Sequence, residues 1–412
     1  MAEQTFVVVG GGLAGASAVT TLRGEGFKGE LVLLAGEPEV PYIRPPLSKE
    51  YLMGQAERSA AQVHPENWYG DHGVDLRLGT PVESIDVVEK QAVLTGGGRL
   101  AWDKLLMATG SSARRLGGES FPEIEGVHYL RTLADSDALK DALTGGGRRV
   151  VVVGSGWIGL EVAAAARSHG NAVTVLGMEE VPLQLALGRE LGTYFRDLHV
   201  RNGVDLRMQV RTAGLEHDDG NVTGVRLGDG TVVPADVVVM GVGAIPNTKL
   251  AEDAGLDVEN GVKVDASLHA GHGVYAAGDV ANAFHPVLSR HLRVEHWANA
   301  QWQGEAAARA MLGRDVSYDR VPYFYTDQFD LGMEFSGYGP LMAEARVVHR
   351  GDPESGEFIS FWVTGPDRAA RVVAGMNVNI WDVNATIDSL IASGRGVDVA
   401  RLSDTAVELT DI

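Results

Sequence analysis

The chain has 412 residues, of which 45% are hydrophobic and 22% charged, enough apolar content for two or three domain cores and too much for a disordered polymer. Its formal net charge of −20 disfavours nucleic acid, whose phosphates an acidic surface repels, and offers nothing to an anionic membrane. With no cysteine there is no disulfide framework, thiolate nucleophile, CxxC pair or cysteine-held iron–sulfur cluster, so any redox chemistry runs through a bound cofactor.

Thr5 to Val9 reads as a short buried strand. The apolar run Phe6–Val9 is interrupted at once by Gly10 to Gly12 and has no basic residue before it, so it is neither a signal peptide nor a membrane span, and a cytoplasmic location is expected. The glycines Gly10, Gly12 and Gly15, with Leu13 and Ala14 between the last two, open a small-residue helix running through Leu22. This is GxGxxG in its required context: Gly10 for the tight turn, Gly12 for close approach of a pyrophosphate, Gly15 for helix–strand packing. The helix N-terminus supplies unpaired N–H groups to the phosphates. A second strand, Leu31 to Leu34, leads to Glu37, about twenty residues beyond the glycines, where a carboxylate accepts from ribose hydroxyls.

Further along, Leu105 to Gly110 is a strand ending in a glycine turn. Val150 to Val153 then repeats the first pattern with Gly154, Gly156, Trp157, Ile158 and Gly159, an alanine-rich helix through Ala166, and a strand from Ala172 to Leu176. Two such turns imply two dinucleotides, and the economical pairing is a tightly held flavin with a diffusible nicotinamide. The acid expected after the second strand is missing, because Gly177 follows Leu176, although Glu179 and Glu180 come close behind. No arginine or lysine stands there for an extra phosphate, which favours NADH over NADPH.

Val237 to Asn247 looks like the counterpart of Leu105–Gly110 on the far side of the repeat, and Gly273 to Ala281 returns as a buried strand feeding Gly278-Asp279. Asp279 is placed to accept from a ribitol hydroxyl, while Gly-Asp is also an ordinary turn pair. The second fold therefore reads as inserted into the first. From about Pro322 the sequence alternates and becomes aromatic, with strands expected at Phe358–Val363 and Arg371–Asn379 and a helix at 382–392. The fold class is α/β: two Rossmann-like dinucleotide-binding domains, the second inserted in the first, plus a small α+β C-terminal domain. The boundaries fall at 1–113 with 247–321 for the flavin, 114–246 for the nicotinamide, and 322–412.

Seven segments together carry a resemblance that spans essentially the whole chain. They are Gly10–Gly15, Tyr42–Lys49 (Tyr-Ile-Arg-Pro-Pro-Leu-Ser-Lys), Ala108-Thr109-Gly110, Gly154–Glu161, Gly243–Asn247, Ala277-Gly278-Asp279 and Val294–Trp297. This set resembles the FAD-dependent NAD(P)H:ferredoxin reductases, similar also to apoptosis-inducing factor, and looks especially like actinobacterial members. The resemblance implies that Arg44, Pro45 and Lys49 line the flavin, that Thr109 and Gly110 hold its pyrophosphate side, that Asp279 binds the ribitol, and that Glu295 and Trp297 lie near the ring. It implies catalytic roles for Lys49 and Glu161, as an ion pair beside flavin N5. Val82, Ala108, Arg131, Glu179, Gly243, Gly278, His296, Phe324 and Tyr325 complete the implied cofactor-binding set, and no metal is expected. Tyr325 stands where the family often carries tryptophan.

The implied activity is hydride transfer from NADH, with NADPH possible, to FAD, followed by single electrons passed to a ferredoxin that serves a cytochrome P450 or a ring-hydroxylating oxygenase. An acidic ferredoxin calls for a basic landing patch; Arg290, His291 and Arg293, extended by Arg309 and Arg314, are one candidate, and scattered surface charge is the other reading. A monomer or homodimer is expected. An NADH oxidase or small-radical reductase needs only flavin and nicotinamide, and a protein like apoptosis-inducing factor would use NADH to change conformation; a disulfide reductase is excluded for want of thiols.

Overall fold

The computed structural model describes residues 4–412. The described residues divide into two compact units: residues 4–44, 58–112 and 244–322 form one, and residues 45–57, 113–243 and 323–412 the other. Residues 45–57 thus belong by contact with the second repeat and the C-terminal segment, whereas the sequence reading left them with the first repeat.

In the first unit a six-stranded sheet runs in the order His269–Gly271, Val274–Ala276, Lys104–Met107, Thr5–Val9, Glu30–Leu34, Asp75–Arg77. All neighbours pair parallel except the first two. Both faces are buried, which is why Phe6 to Val9 and Leu31 to Leu34 are continuous apolar runs with no alternation. The helices Leu13–Gly24 and Trp297–Met311 pack closely because Gly304 has no side chain; a Cβ there would lie 2.3 Å from the Ala14 carbonyl oxygen.

The second unit repeats the plan: a parallel sheet in the order Asp205–Arg207, Ala172–Leu176, Arg149–Val153, Val237–Met240, Val127–His128. Its C-terminal part is an antiparallel sheet built on Tyr323–Gln328, Leu331–Gly337, Ala370–Val378, Glu357–Thr364 and Arg346–Asp352, with the helix Asn384–Ser393 against it. That helix begins two residues later than the sequence reading put it. Asp382 is excluded because its φ is +62°, outside the helical region. Among the described residues no helix is long and apolar enough to cross a membrane.

Candidate functional site: two dinucleotide cradles and a buried ion pair

The first cradle follows from three glycines with different duties. Gly10 has φ +123°, and a Cβ on it would stand 2.1 Å from the Ala108 carbonyl oxygen; one on Gly15 would stand 2.1 Å from the Gly10 oxygen. Neither position tolerates a side chain. A Cβ on Gly12 would meet nothing within 4 Å, so that backbone faces open space at the start of the helix Leu13–Gly24, where Ala16 N–H makes the bond to the Gly12 carbonyl. The amides of Leu13, Ala14 and Gly15 come before that bond and form an anion-binding helix end.

Around it lie the polar groups that the sequence singled out. Glu37 accepts from the Tyr42 hydroxyl at 2.5 Å and from Arg44 at 3.2 Å, and the Arg44 guanidinium stacks over the Tyr42 ring. Asp279 is buried and accepts from the Ser111 hydroxyl at 2.9 Å. Thr109 and Asn247 are locked together: the Thr109 hydroxyl donates to the Asn247 carbonyl at 3.0 Å, and the Asn247 side chain donates to the Thr109 carbonyl at 2.8 Å. Gly110, at φ +66°, accepts from the Asn247 amide, and the Gly278 amide donates to Gln303. His296 is half-buried, and desolvation pushes its pKa down to about 4 against the pull of Asp279. Glu295 pairs with Arg293, which also donates to the Asp279 carbonyl and to Asn260 Oδ1, and Trp297 opens the helix Trp297–Met311. Val82 begins the strand Val82–Asp86 and is half-buried.

The second cradle reproduces the first almost atom for atom. Gly154 has φ +115° with its Cβ position 2.1 Å from the Gly241 oxygen, Gly159 would strike the Gly154 oxygen at 2.2 Å, and Gly156 again faces open space. Gly12 and Gly156 cap their helices at φ −85°, ψ −174° and φ −83°, ψ −176°. The match continues past the second strands. The Ala35 and Gly177 amides both donate to an arginine carbonyl, of Arg77 and Arg207, and the carbonyls of Glu37 and Glu179 accept from the amides of Gly79 and Gln209. Glu179 is therefore the positional equivalent of Glu37. The acid missing at Gly177 is present two residues on, where its carboxylate accepts from Ser155 at 3.4 Å. A Cβ on Gly177 would lie 2.5 Å from the Met208 methyl and 2.6 Å from the Ser155 hydroxyl, so those two side chains would have to turn aside for it.

Also within the second unit is a dry ion pair. Lys49 Nζ lies 2.9 Å from Glu161 Oε1, and the two side chains are 5% and 3% exposed. Such a pair persists only when its remaining hydrogen-bonding capacity is used. Glu161 Oε2 accepts from the Ser48 hydroxyl at 2.5 Å and Oε1 from the Thr326 hydroxyl at 2.6 Å. Lys49 Nζ also sits 5.4 Å above the Tyr325 ring, a cation–π contact, and the Tyr325 hydroxyl is pushed up to about 12 by burial and by Glu50, Asp327 and Glu161. Asp327 is raised by burial, which Lys49 opposes. Trp157 packs edge-on against Phe195 and Phe324, so its indole serves the interior of this unit. Ile158 is 45% exposed beside the cradle, Gly243 bends the chain at φ +102°, Pro45 starts the turn Pro45–Ser48, and the Arg131 amide donates to Asp135 in the cap of the next helix.

Ser48, Thr326, Tyr42, Ser111 and Asn247 are site residues that the sequence reading did not single out. Ser48 stands inside the segment Tyr42–Lys49 and Thr326 directly follows Tyr325, and that company was their only signal. In the candidate basic patch, Arg293 pairs with Glu295, Arg309 with Glu25 and Glu305, and Arg314 approaches Glu25, so most of its charge is locally neutralised.

Residues 4–304 match the family model described as pyridine nucleotide-disulphide oxidoreductase, and residues 323–412 match the reductase C-terminal model. The chain belongs to the pyridine nucleotide-disulphide oxidoreductase family. It is 40% identical to the ferredoxin–NAD(+) reductase component of the anthranilate 1,2-dioxygenase system of Burkholderia cepacia, over 99% of each chain. It is 32% identical to the putidaredoxin reductase of Pseudomonas putida, over 100% of this chain and 97% of that one. Among solved structures, the covalent putidaredoxin reductase–putidaredoxin complex matches with a TM-score of 0.93 at 31% identity, covering 100% of this chain and 98% of that one. Members of this family are flavin- and nicotinamide-dependent oxidoreductases, and this member lacks the cysteines that the family's name advertises.

Proposed function

We propose that the chain is an NADH-dependent flavoprotein reductase that holds FAD in the Gly10–Gly15 cradle, NADH in the Gly154–Gly159 cradle, and delivers single electrons to an iron–sulfur ferredoxin serving a cytochrome P450 or ring-hydroxylating oxygenase. The observation that carries this reading is the duplicated cradle in which Gly12 and Gly156 each leave open space at a helix N-terminus. The names of the full-length relatives support the ferredoxin as acceptor. In this assignment residues 1–113 and 247–321 serve the flavin and 114–246 the nicotinamide, and 322–412 form the C-terminal α+β domain. A cytoplasmic location goes with this reading, because NADH is an intracellular reductant.

The bound flavin supplies acceptance of two electrons as hydride and their release one at a time. The protein's part is positioning and charge. Asp279 and Glu37 accept hydroxyls of the ribitol and ribose, Thr109 and Gly110 shape the pyrophosphate channel, and Glu179 selects the free ribose hydroxyl of NADH over the phosphate of NADPH. Lys49 keeps a fixed positive charge where negative charge accumulates, and Glu161, fastened by Ser48 and Thr326, keeps that ammonium from reorienting.

The test is anaerobic titration of the yellow holoprotein with NADH and NADPH in parallel, followed by mixing with candidate ferredoxins and cytochrome c. Full bleaching by NADH and fast reoxidation by a ferredoxin is the expected result. Purification without flavin absorbance would sink the proposal, fast turnover with oxygen alone would replace it with an NADH oxidase, and slow reoxidation by every carrier together with NADH-dependent dimers would replace it with a conformational role.

A further inference from the structure

Behind Glu161 and its partner Thr326 lie two further buried polar groups, Gln328 and His199, that the reaction as described does not use. Thr326 donates to Glu161 Oε1 at 2.6 Å, Gln328 Nε2 donates to Thr326 Oγ1 at 3.1 Å, and Gln328 Oε1 accepts from His199 Nε2 at 2.8 Å. Thr326 and His199 are fully buried and Gln328 is 1% exposed. Thr326 and Gln328 share one face of the strand Tyr323–Gln328 by the two-residue period, and His199 comes from the last turns of the helix Gln184–Arg201.

The direction of every bond in this line is forced. A threonine hydroxyl has one proton, and a carboxylate can only accept, so that proton goes to Glu161 and leaves a lone pair for Gln328. Gln328 must then present its NH₂ to Thr326 and its oxygen to His199. Nε2 of the histidine must therefore carry a proton, while its Nδ1 has no hydrogen-bond partner among the described residues. A second ring proton would have no acceptor, and burial pushes the His199 pKa down to about 4 despite the bond to Gln328.

We propose that His199 and Gln328 are remote positioning residues for the Lys49–Glu161 pair, acting as a one-way relay that keeps the single Thr326 proton on Glu161 and so holds Glu161 Oε1 against Lys49. This rests on the reading that Lys49 and Glu161 face the flavin. The large sequence separations in the relay, 165 between Glu161 and Thr326 and 129 between His199 and Gln328, mean that the C-terminal strand and the helix after the second cradle jointly orient a group on the cradle's own helix.

The experiment uses holoprotein with four changes: Thr326→Val, His199→Phe, His199→Gln and the double Thr326→Val/His199→Phe. Stopped-flow reduction by NADH separates the limiting rate from the apparent Kd. Loss of a hydrogen bond to a charged group predicts a limiting rate lowered about tenfold or more in T326V, with Kd little changed. H199F should be slower by about threefold or more, H199Q should recover the wild-type rate within about twofold because its amide can still donate, and the double variant should be no slower than T326V, since Thr326 is the link through which His199 acts. Independently, in ¹⁵N-histidine-labelled protein, with the signal assigned by its loss in H199Q, the His199 ring should be neutral and protonated at Nε2 from about pH 5 upward. An Nδ1-protonated or imidazolium ring overturns the relay even if H199F fails to fold. Wild-type rates in T326V and H199F overturn it while leaving the reductase reading intact. A wild-type flavin that NADH does not reduce removes that reading, and the positioning role falls with it.

Discussion

Matched residue for residue, the turns at Gly10–Gly15 and Gly154–Gly159 share their dihedral angles, their carbonyl contacts and their hydrogen bonds out to Glu37 and Glu179, yet they differ in how they fill the same spaces. In the first, Gly11 lies against Ala35, whose Cβ would be 2.5 Å from a Cβ on Gly11; in the second the side chain is on the other partner, Ser155 against Gly177. Each pair has room for one Cβ, and the choice decides whether a hydroxyl faces the acid that follows. A second difference is deeper. The helix of the second turn carries the buried Glu161 where the first carries the buried Ser17. The lesson is that a dinucleotide cradle is a backbone property set by glycine and a helix end, whereas the task given to each copy is written in the few side chains that the backbone leaves open.

The sharpest break in this parallel comes from the helix positions. Glu161→Ala leaves Lys49 buried without its partner and should cost about 3–5 kcal/mol, read by urea unfolding of the flavin-free protein, while Ser17→Ala should cost about 1 kcal/mol. Equal costs would show that the ion pair is as solvated as a surface one. Next, Gly15→Ala and Gly159→Ala should each destabilise by about 1–3 kcal/mol through the clash with a carbonyl, whereas Gly12→Ala and Gly156→Ala should leave the thermal midpoint of the flavin-free protein unchanged. Of the latter two, the first should lower flavin content and the second should raise the KM for NADH with flavin content intact. An exchange of these two phenotypes would reverse the assignment of the cradles.

Each unit also holds a histidine depressed to about 4, His296 in the first and His199 in the second. A depressed histidine takes up its proton in the unfolded chain before the folded one, so stability is full above pH 6.5 and is lost as pH falls from 6.5 to 4, flat below that. At pH 5 each accounts for about 2 kcal/mol. Unfolding curves at pH 7.5 and 5 for the wild type, H199Q and H296Q should show this loss shrinking in each variant; an unchanged loss in H199Q would mean that the ring is protonated in the fold. The smallest effect expected is on selectivity. Glu179→Gln should shift the NADH-to-NADPH ratio of kcat/KM by about tenfold toward NADPH, and Glu37→Gln should leave that ratio alone. A ratio that stays fixed in both would remove Glu179 from the nucleotide site.

The two cradles, their strands and the α/β class were legible because they depend on local rules. Apolar runs buried on both faces, glycine at positive φ and a helix start leave marks within thirty residues of one another, and the strands Thr5–Val9 and Ala172–Leu176 fall where those marks put them. Lys49 and Glu161 were legible only through the resemblance of the segments that contain them. Tertiary structure alone decided the rest. It showed that residues 45–57 join the second unit, that Glu179 stands in register with Glu37, and that His199, Gln328 and Thr326 line up behind Glu161. The reason is physical: a buried polar group has to find its partner in space, and the sequence leaves no periodic or local trace of partners more than a hundred residues apart.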